Sequence, residues 1–131
     1  MRLYAPKEFV NWLNSQPEGS SSHRYGDAAL RFLRSLPARP SDDLPPILKR
    51  VRQARRHQIW RVSHPYDPGA AVRVLCWFPE ADTAVVALVG GDKASIGDLW
   101  YDSATPRAEL AVDHWLRTHP PQNPGDDHHD R

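Results

Sequence analysis

HQIWRVSHPYDPGAAVRVLCWFPEADTAVVALVGGDKASIGDLWYD, residues His57 to Asp102, decides the fold. It holds three apolar runs, His57–His64, Ala71–Phe78 and Thr83–Val89, rich in Val, Ile, Leu, Trp and Phe. Such side chains suit a pleated, half-buried surface. The connectors PYDPGA and PEAD carry the Pro, Gly and Asp that set turn geometry. The pattern predicts a three-stranded antiparallel meander, then a tight GGDKASIG loop and an aromatic pair, Trp100-Tyr101. The first strand alternates Ile59, Arg61 and Ser63 against Trp60, Val62 and His64. The second sets Arg73, Leu75 and Trp77 against Val72, Val74, Cys76 and Phe78. The third, TAVVALV, is apolar on both faces and reads as a central, covered strand.

Before the meander, Ala5-Pro6-Lys7-Glu8 marks a helix start whose face is Phe9, Val10, Trp12 and Leu13. Ser15 to Ser22 interrupts it with Pro17, Gly19 and a serine run, and reads as a loop. A second helix is predicted over Tyr25–Leu36, with Ala28, Ala29, Phe32, Leu33 and Leu36 at helical spacing. Pro37 and Pro40 end it. A linker, Ser41–Pro46, leads to a short helix or turn over Pro46–Val51. After the meander, a last helix is predicted from Thr105-Pro106 to about Thr118, stopped by Pro120 and Pro121. The expected class is therefore α+β: a small antiparallel sheet of three or four strands, with N-terminal helices on one face and a C-terminal helix. Residues 1–120 read as one domain and 121–131 as a disordered polar tail.

Net charge is +1, which by itself announces no nucleic-acid partner, but the distribution is uneven. Between Leu44 and Tyr66 there is no acidic residue, while Lys49, Arg50, Arg52, Arg55, Arg56 and Arg61 all fall there. Cys76 cannot form an internal disulfide and reads as a core thiol. No apolar run of about 18 residues is present and the N-terminus has no signal-like core, so no membrane segment and a cytoplasmic location are expected.

The order of basic run, strand, Arg-containing strand, apolar strand, Lys loop, Tyr and helix resembles the RelE/HigB superfamily of type II toxins, nearest the HigB-like, phage Gp49-like group. The pieces that carry it are Leu48-Lys49-Arg50, IWRVS, VRVLCWF, VALVGGDKA and LWYDSATPRAE, across roughly Leu44 to Leu116. The resemblance implies a RelE-like fold, ribosome-dependent mRNA endonuclease activity without metal or cofactor, and an adjacently encoded antitoxin, expected to be a helix-turn-helix protein. Ribosome and mRNA are the other implied partners. Two departures stand out. Arg61 and Ser63 replace an "ElR" pattern in the first strand, and Lys93 is the one cation of a loop that often holds more, with Asp92 beside it.

Cleavage by such a site is attack of a ribose 2′-hydroxyl on the adjacent phosphate, which needs proton transfer and cations for the phosphorane charge. Arg73, mid-strand among apolar neighbours, is the first candidate, as a bidentate phosphate clamp or as a surface Arg paired across the sheet. Lys93 is a transition-state cation or a solvated turn lysine. Tyr101 stacks on a base, moves a proton, or packs on the last helix. Arg61 lines the cleft beside Arg73 or is an exposed strand residue. The candidate RNA-binding set is Lys49, Arg50, Arg52, Arg55 and Arg56 with His57 and His64. The same run could instead be a solvated turn or an antitoxin dock. The tail pair His128 and His129 is discounted as a metal site. The competing functions are a catalytically silent binding module and a ParE-like gyrase inhibitor.

Overall fold

The computed structural model describes residues 1–63, 71–79, 83–94 and 96–119. Its elements are β1 (Arg2–Tyr4), α1 (Lys7–Ser15), α2 (Ser21–Ser35), β2 (Leu48–Arg50), β3 (Trp60–Ser63), β4 (Val72–Trp77), β5 (Ala84–Asp92), a 3-10 turn (Gly97–Leu99) and α3 (Trp100–Thr118). Among the described residues the sheet has five strands in the order β1-β5-β4-β3-β2. The meander β3-β4-β5 is antiparallel, as expected, and β2 extends it antiparallel on β3. At the other edge β1 runs parallel to β5, from Arg2 opposite Ala84 to Tyr4 opposite Val86. The α+β, RelE-like class is thus borne out, with a mixed sheet.

Alternation along the strands builds two cores, one on each face. Trp60, Val62, Val74, Cys76, Val85 and Ala87 meet Phe9, Ala29, Leu30 and Leu33 of α1 and α2. Ile59, Leu75, Val86, Leu88 and Val89 meet Trp100, Tyr101, Ala104, Ala108 and Val112 of α3. The third apolar run is covered on both sides because it carries both sets. Cys76 is fully buried and burial pushes its thiol up, which suits an inert core residue.

Four local expectations change. Leu48–Arg50 is a strand, not a helix or turn, because Leu48 faces Val62 and fills the α1/α2-side core. The serine run does not lie wholly in a loop. Ser20 caps α2 by accepting from the His23 N–H at 3.2 Å, which starts that helix at Ser21. Helix α3 begins at Trp100 and carries Pro106 inside it. The burial of Trp100, Tyr101, Ala104 and Thr105 outweighs a proline that interrupts the backbone bonding.

The fourth concerns Gly90 and Gly91, which continue β5 and do not open a loop. Leu75 pairs with Val89 but Cys76 pairs with Ala87, so Leu88 is a bulge residue. Leu88 and Val89 therefore both enter the α3-side core. Beyond the bulge Gly90 turns toward α1 and Gly91 toward α3. A Cβ at Gly90 would stand 2.3 Å from Trp12 Cε3, and one at Gly91 2.6 Å from Trp100 Nε1. The glycines let two indoles lie flat against the strand.

Candidate active site

Arg73 sits on the α3-side face of β4, opposite Ser63 on β3 and Gly91 on β5. Both cross-strand neighbours are small, and neither sets a long side chain beside it. One step along, Lys49, Arg61 and Leu75 form the next cross-strand row on the same face. Arg61 and Arg73 are therefore diagonal neighbours. Arg61 Nη1 donates to the Pro46 carbonyl at 3.1 Å and to Ser63 Oγ. Burial holds the Arg61 guanidinium below its ordinary value, and the Arg73 charge adds to that, while Tyr101 acts in the opposite sense. Arg73 Nη1 donates to the Val72 carbonyl at 3.0 Å. Its Nε is buried and has no hydrogen-bond partner among the described residues.

The other two candidates close the cluster from β5 and α3. The Lys93 N–H donates to the Ala71 carbonyl at 3.0 Å, prolonging the β4–β5 ladder by one step. This carries the Lys93 side chain over the first turn of α3, with Nζ 5.4 Å from the Tyr101 ring centroid. Tyr101 is only 6% exposed and packs edge-on against Trp100 at 5.1 Å, so its ring serves the core and the ammonium above it. That leaves no free face on which a base could stack.

An acid missing from the sequence-based set completes the site. Asp98 Oδ1 lies 2.5 Å from Lys93 Nζ, with the Asp98 side chain mostly exposed. The Lys93 hydrogen bond holds this carboxyl below the usual range, helped by Lys93 charge and, farther off, by Arg73 and Arg61. Asp92, beside Lys93 in the chain, accepts the Ala71 and Ala94 N–H groups on its Oδ1 at 3.0 and 2.9 Å and closes the turn. The spacing of Lys93 and Asp98 is visible in the sequence, but nothing there tells which of two nearby acids meets the lysine.

The basic run is dispersed. Arg50 bonds Asp42 at 2.8 Å and Asp43 at 3.2 Å and lies over the Trp60 ring. Arg56 makes a two-pronged contact with Asp113 at 2.8 and 2.9 Å, and His57 Nε2 reaches the same carboxylate at 2.7 Å. His57 first, then Arg56, hold Asp113 below its ordinary value. Glu109, 7% exposed, accepts the backbone N–H groups of Arg55, Arg56 and His57 at 3.1, 2.5 and 3.0 Å. Burial alone would raise this carboxyl, but those three donors hold it low. Glu109 and Asp113 were missed, though their i,i+4 spacing on α3 marks one acidic face. Lys49, Arg52 and Arg55 make no side-chain hydrogen bond or ion pair among the described residues, and Arg52 and Arg55 are exposed. The structure thus gathers Arg61, Arg73, Lys93 and Tyr101, with Lys49 beside Arg61, and sends Arg56 and His57 to the far end of α3. His64 and the tail histidines lie outside the described residues.

Among the described residues no helix is long and apolar enough to cross a membrane. No family model matches the chain. No solved structure matches it. Over 71 residues the chain is 31% identical to a protein of Mycobacterium tuberculosis (strain ATCC 25618 / H37Rv) named "Putative toxin HigB3". The aligned part is 54% of this chain, and it spans 59% of that relative's length. The resemblance to HigB-like toxins is borne out at this modest identity.

Proposed function

We propose that this chain, a relative of a HigB toxin, is the toxin of a type II toxin–antitoxin pair and cuts mRNA on the ribosome. One observation carries the reading: Arg61, Arg73 and Lys93, from three different parts of the chain, converge on one face of the sheet. Like charges are not brought together by folding without cost, and the buried Arg73 Nε adds an unfilled donor. A phosphate offset by a bidentate guanidinium satisfies both demands.

In the proposed reaction the 2′-oxygen attacks the adjacent phosphorus, the bond to the 5′-oxygen breaks, and a 2′,3′-cyclic phosphate remains. The 2′-hydroxyl proton passes to solvent water as the bond forms, and the departing 5′-oxygen takes one up from Lys93 or from water. Arg73 holds the non-bridging oxygens, Arg61 adds charge behind it, and Lys93 stands where it can neutralise or protonate the leaving oxygen. Tyr101 is a positioning residue, holding the Lys93 ammonium over its ring face. Exposed Arg52 and Arg55 offer an acidic antitoxin segment its attachment. Primer extension on mRNA from cells expressing the chain alone tests the reading: new 5′ ends are expected during growth arrest, and arrest without them overturns it.

One feature favours a second reading, a catalytically silent binding module. The polar contacts of the cluster among the described residues include cations, a phenol and the Lys93-bound Asp98 carboxylate but no histidine. A silent module binds RNA through the same cations and produces no new 5′ ends.

A further inference from the structure

At the opposite end of α3 from the Arg73 cluster lies a cavity of about 500 Å³ that the proposed reaction does not use. That is a small-ligand volume. Its walls include Trp77 and Trp115, with Arg39, Arg56, His57 and Gln58 around them. Trp77 is four residues along β4 from Arg73, about 13 Å at the rise of an extended strand. The cavity is therefore separate from the candidate active site.

Its chemistry is that of a nucleotide's parts. Trp77 and Trp115 are half-buried indoles in the cavity lining. Trp115 already stacks a flat nitrogen heterocycle, the His119 ring, at 3.6 Å and 8°. Gln58 is exposed, and its carboxamide makes no hydrogen bond among the described residues, so it presents both a donor and an acceptor. Arg39 is exposed and likewise makes no ion pair among the described residues. No carboxylate lines the cavity among the described residues. Two acids stand behind the wall: Asp113 is engaged by the Arg56 and His57 side chains and Glu109 by their backbone N–H groups, and those bonds stiffen that side.

We propose that this cleft binds a nucleotide, its base against the indoles, its base edge read by Gln58 and its phosphate held by Arg39. Flat aromatic walls accept any base, while an amide can rank bases by their edges. The same chemistry serves a free nucleotide or one residue of single-stranded RNA, and the two sources are separable.

The test uses the ¹⁵N-labelled full chain and the indole N–H signals of its five tryptophans. AMP, GMP, CMP, UMP, inorganic phosphate and a hexauridylate are each titrated in. Mononucleotides should shift the Trp77 and Trp115 signals saturably and leave Trp12 and Trp100 unmoved, and inorganic phosphate alone should move none of the four. Arg39→Glu should weaken binding about tenfold or more. Gln58→Ala should change the ranking of the four bases. Arg73→Ala should leave these shifts intact, which separates this site from the proposed catalytic one. Hexauridylate shifting the same two signals assigns an RNA subsite, and mononucleotide shifts without it assign a free-nucleotide site. Absent shifts, or shifts indifferent to Arg39→Glu, overturn the proposal.

Discussion

The Asp98 carboxylate lies 2.5 Å from the Lys93 ammonium and stands within the field of Arg61 and Arg73, where an incoming phosphate would bind. On the proposed function, an internal anion of this kind competes with the RNA phosphate. Asp98→Asn should therefore tighten binding of single-stranded RNA by a few-fold, roughly, and steepen its salt dependence by about 0.7 in the log–log slope. A fluorescence-anisotropy titration at several salt concentrations measures both. Weaker binding by the variant would mean that Asp98 positions Lys93 and does not compete for it.

Arg73→Met separates function from stability. The substitution deletes a buried Nε donor that has no partner among the described residues, and the one bond it gives up, from Nη1 to the neighbouring Val72 carbonyl, is local. Thermal melting should be unchanged or shifted upward. Loss of one transition-state cation typically costs a hundredfold or so in rate, so mRNA cutting and growth arrest should collapse. Lys93→Ala and Tyr101→Phe should cost less, because a turn lysine is held less firmly than a mid-strand arginine. A folded Arg73 variant with full toxicity would move the active site elsewhere.

Gly90→Ala places a methyl 2.3 Å from the Trp12 ring. Backbone holds the strand, so the indole must move and the α1-side core with it. A loss of about 3 kcal/mol in urea unfolding is expected. Trp12→Leu combined with Gly90→Ala should recover part of that loss, since the two share one contact.

Acid lability should trace to α3. Glu109 and Asp113 have folded values below their unfolded ones. Their stabilisation is therefore fully present above the unfolded carboxylate range of about 4 and disappears as pH falls through the lower folded values. Glu109→Gln keeps the side chain's shape but removes the charge facing three N–H donors. Stability at pH 7 should drop by about 1–3 kcal/mol, and the slope of stability below about pH 4 should flatten. Chemical denaturation across that range reads both.

Charge reversal at Arg52 and Arg55 should weaken an antitoxin complex about tenfold and reduce its salt dependence. Arg56→Glu should instead destabilise the chain itself, because Arg56 is held by Asp113 and not presented to solvent alone. Calorimetric titration with the proposed antitoxin distinguishes the two kinds of arginine.

Local sequence was enough for the parts that depend on period and punctuation. Alternation in VRVLCWF assigns Arg73 to the face opposite Val74 and Cys76, and the two cores bear that partition out. Helical spacing locates α1 and most of α2, while the connectors PYDPGA and PEAD fall largely outside the described residues. These features are read over a few residues, where backbone geometry alone decides which side chains share a face. Tertiary structure decided what depends on contacts distant in the chain. The parallel edge strand β1 needs β5, eighty residues on, to supply its hydrogen bonds. The bulge at Leu88 exists because the α3-side core takes two consecutive residues there, and that bulge, invisible in an apolar run, turns Gly91 toward Trp100 beside Arg73. Likewise the basic run reads as one patch, yet Asp42, Asp43, Glu109 and Asp113 divide it. Charge is counted along the chain, but a Coulombic partner is chosen in space, where the carboxylates of a helix more than fifty residues away meet Arg56 and His57.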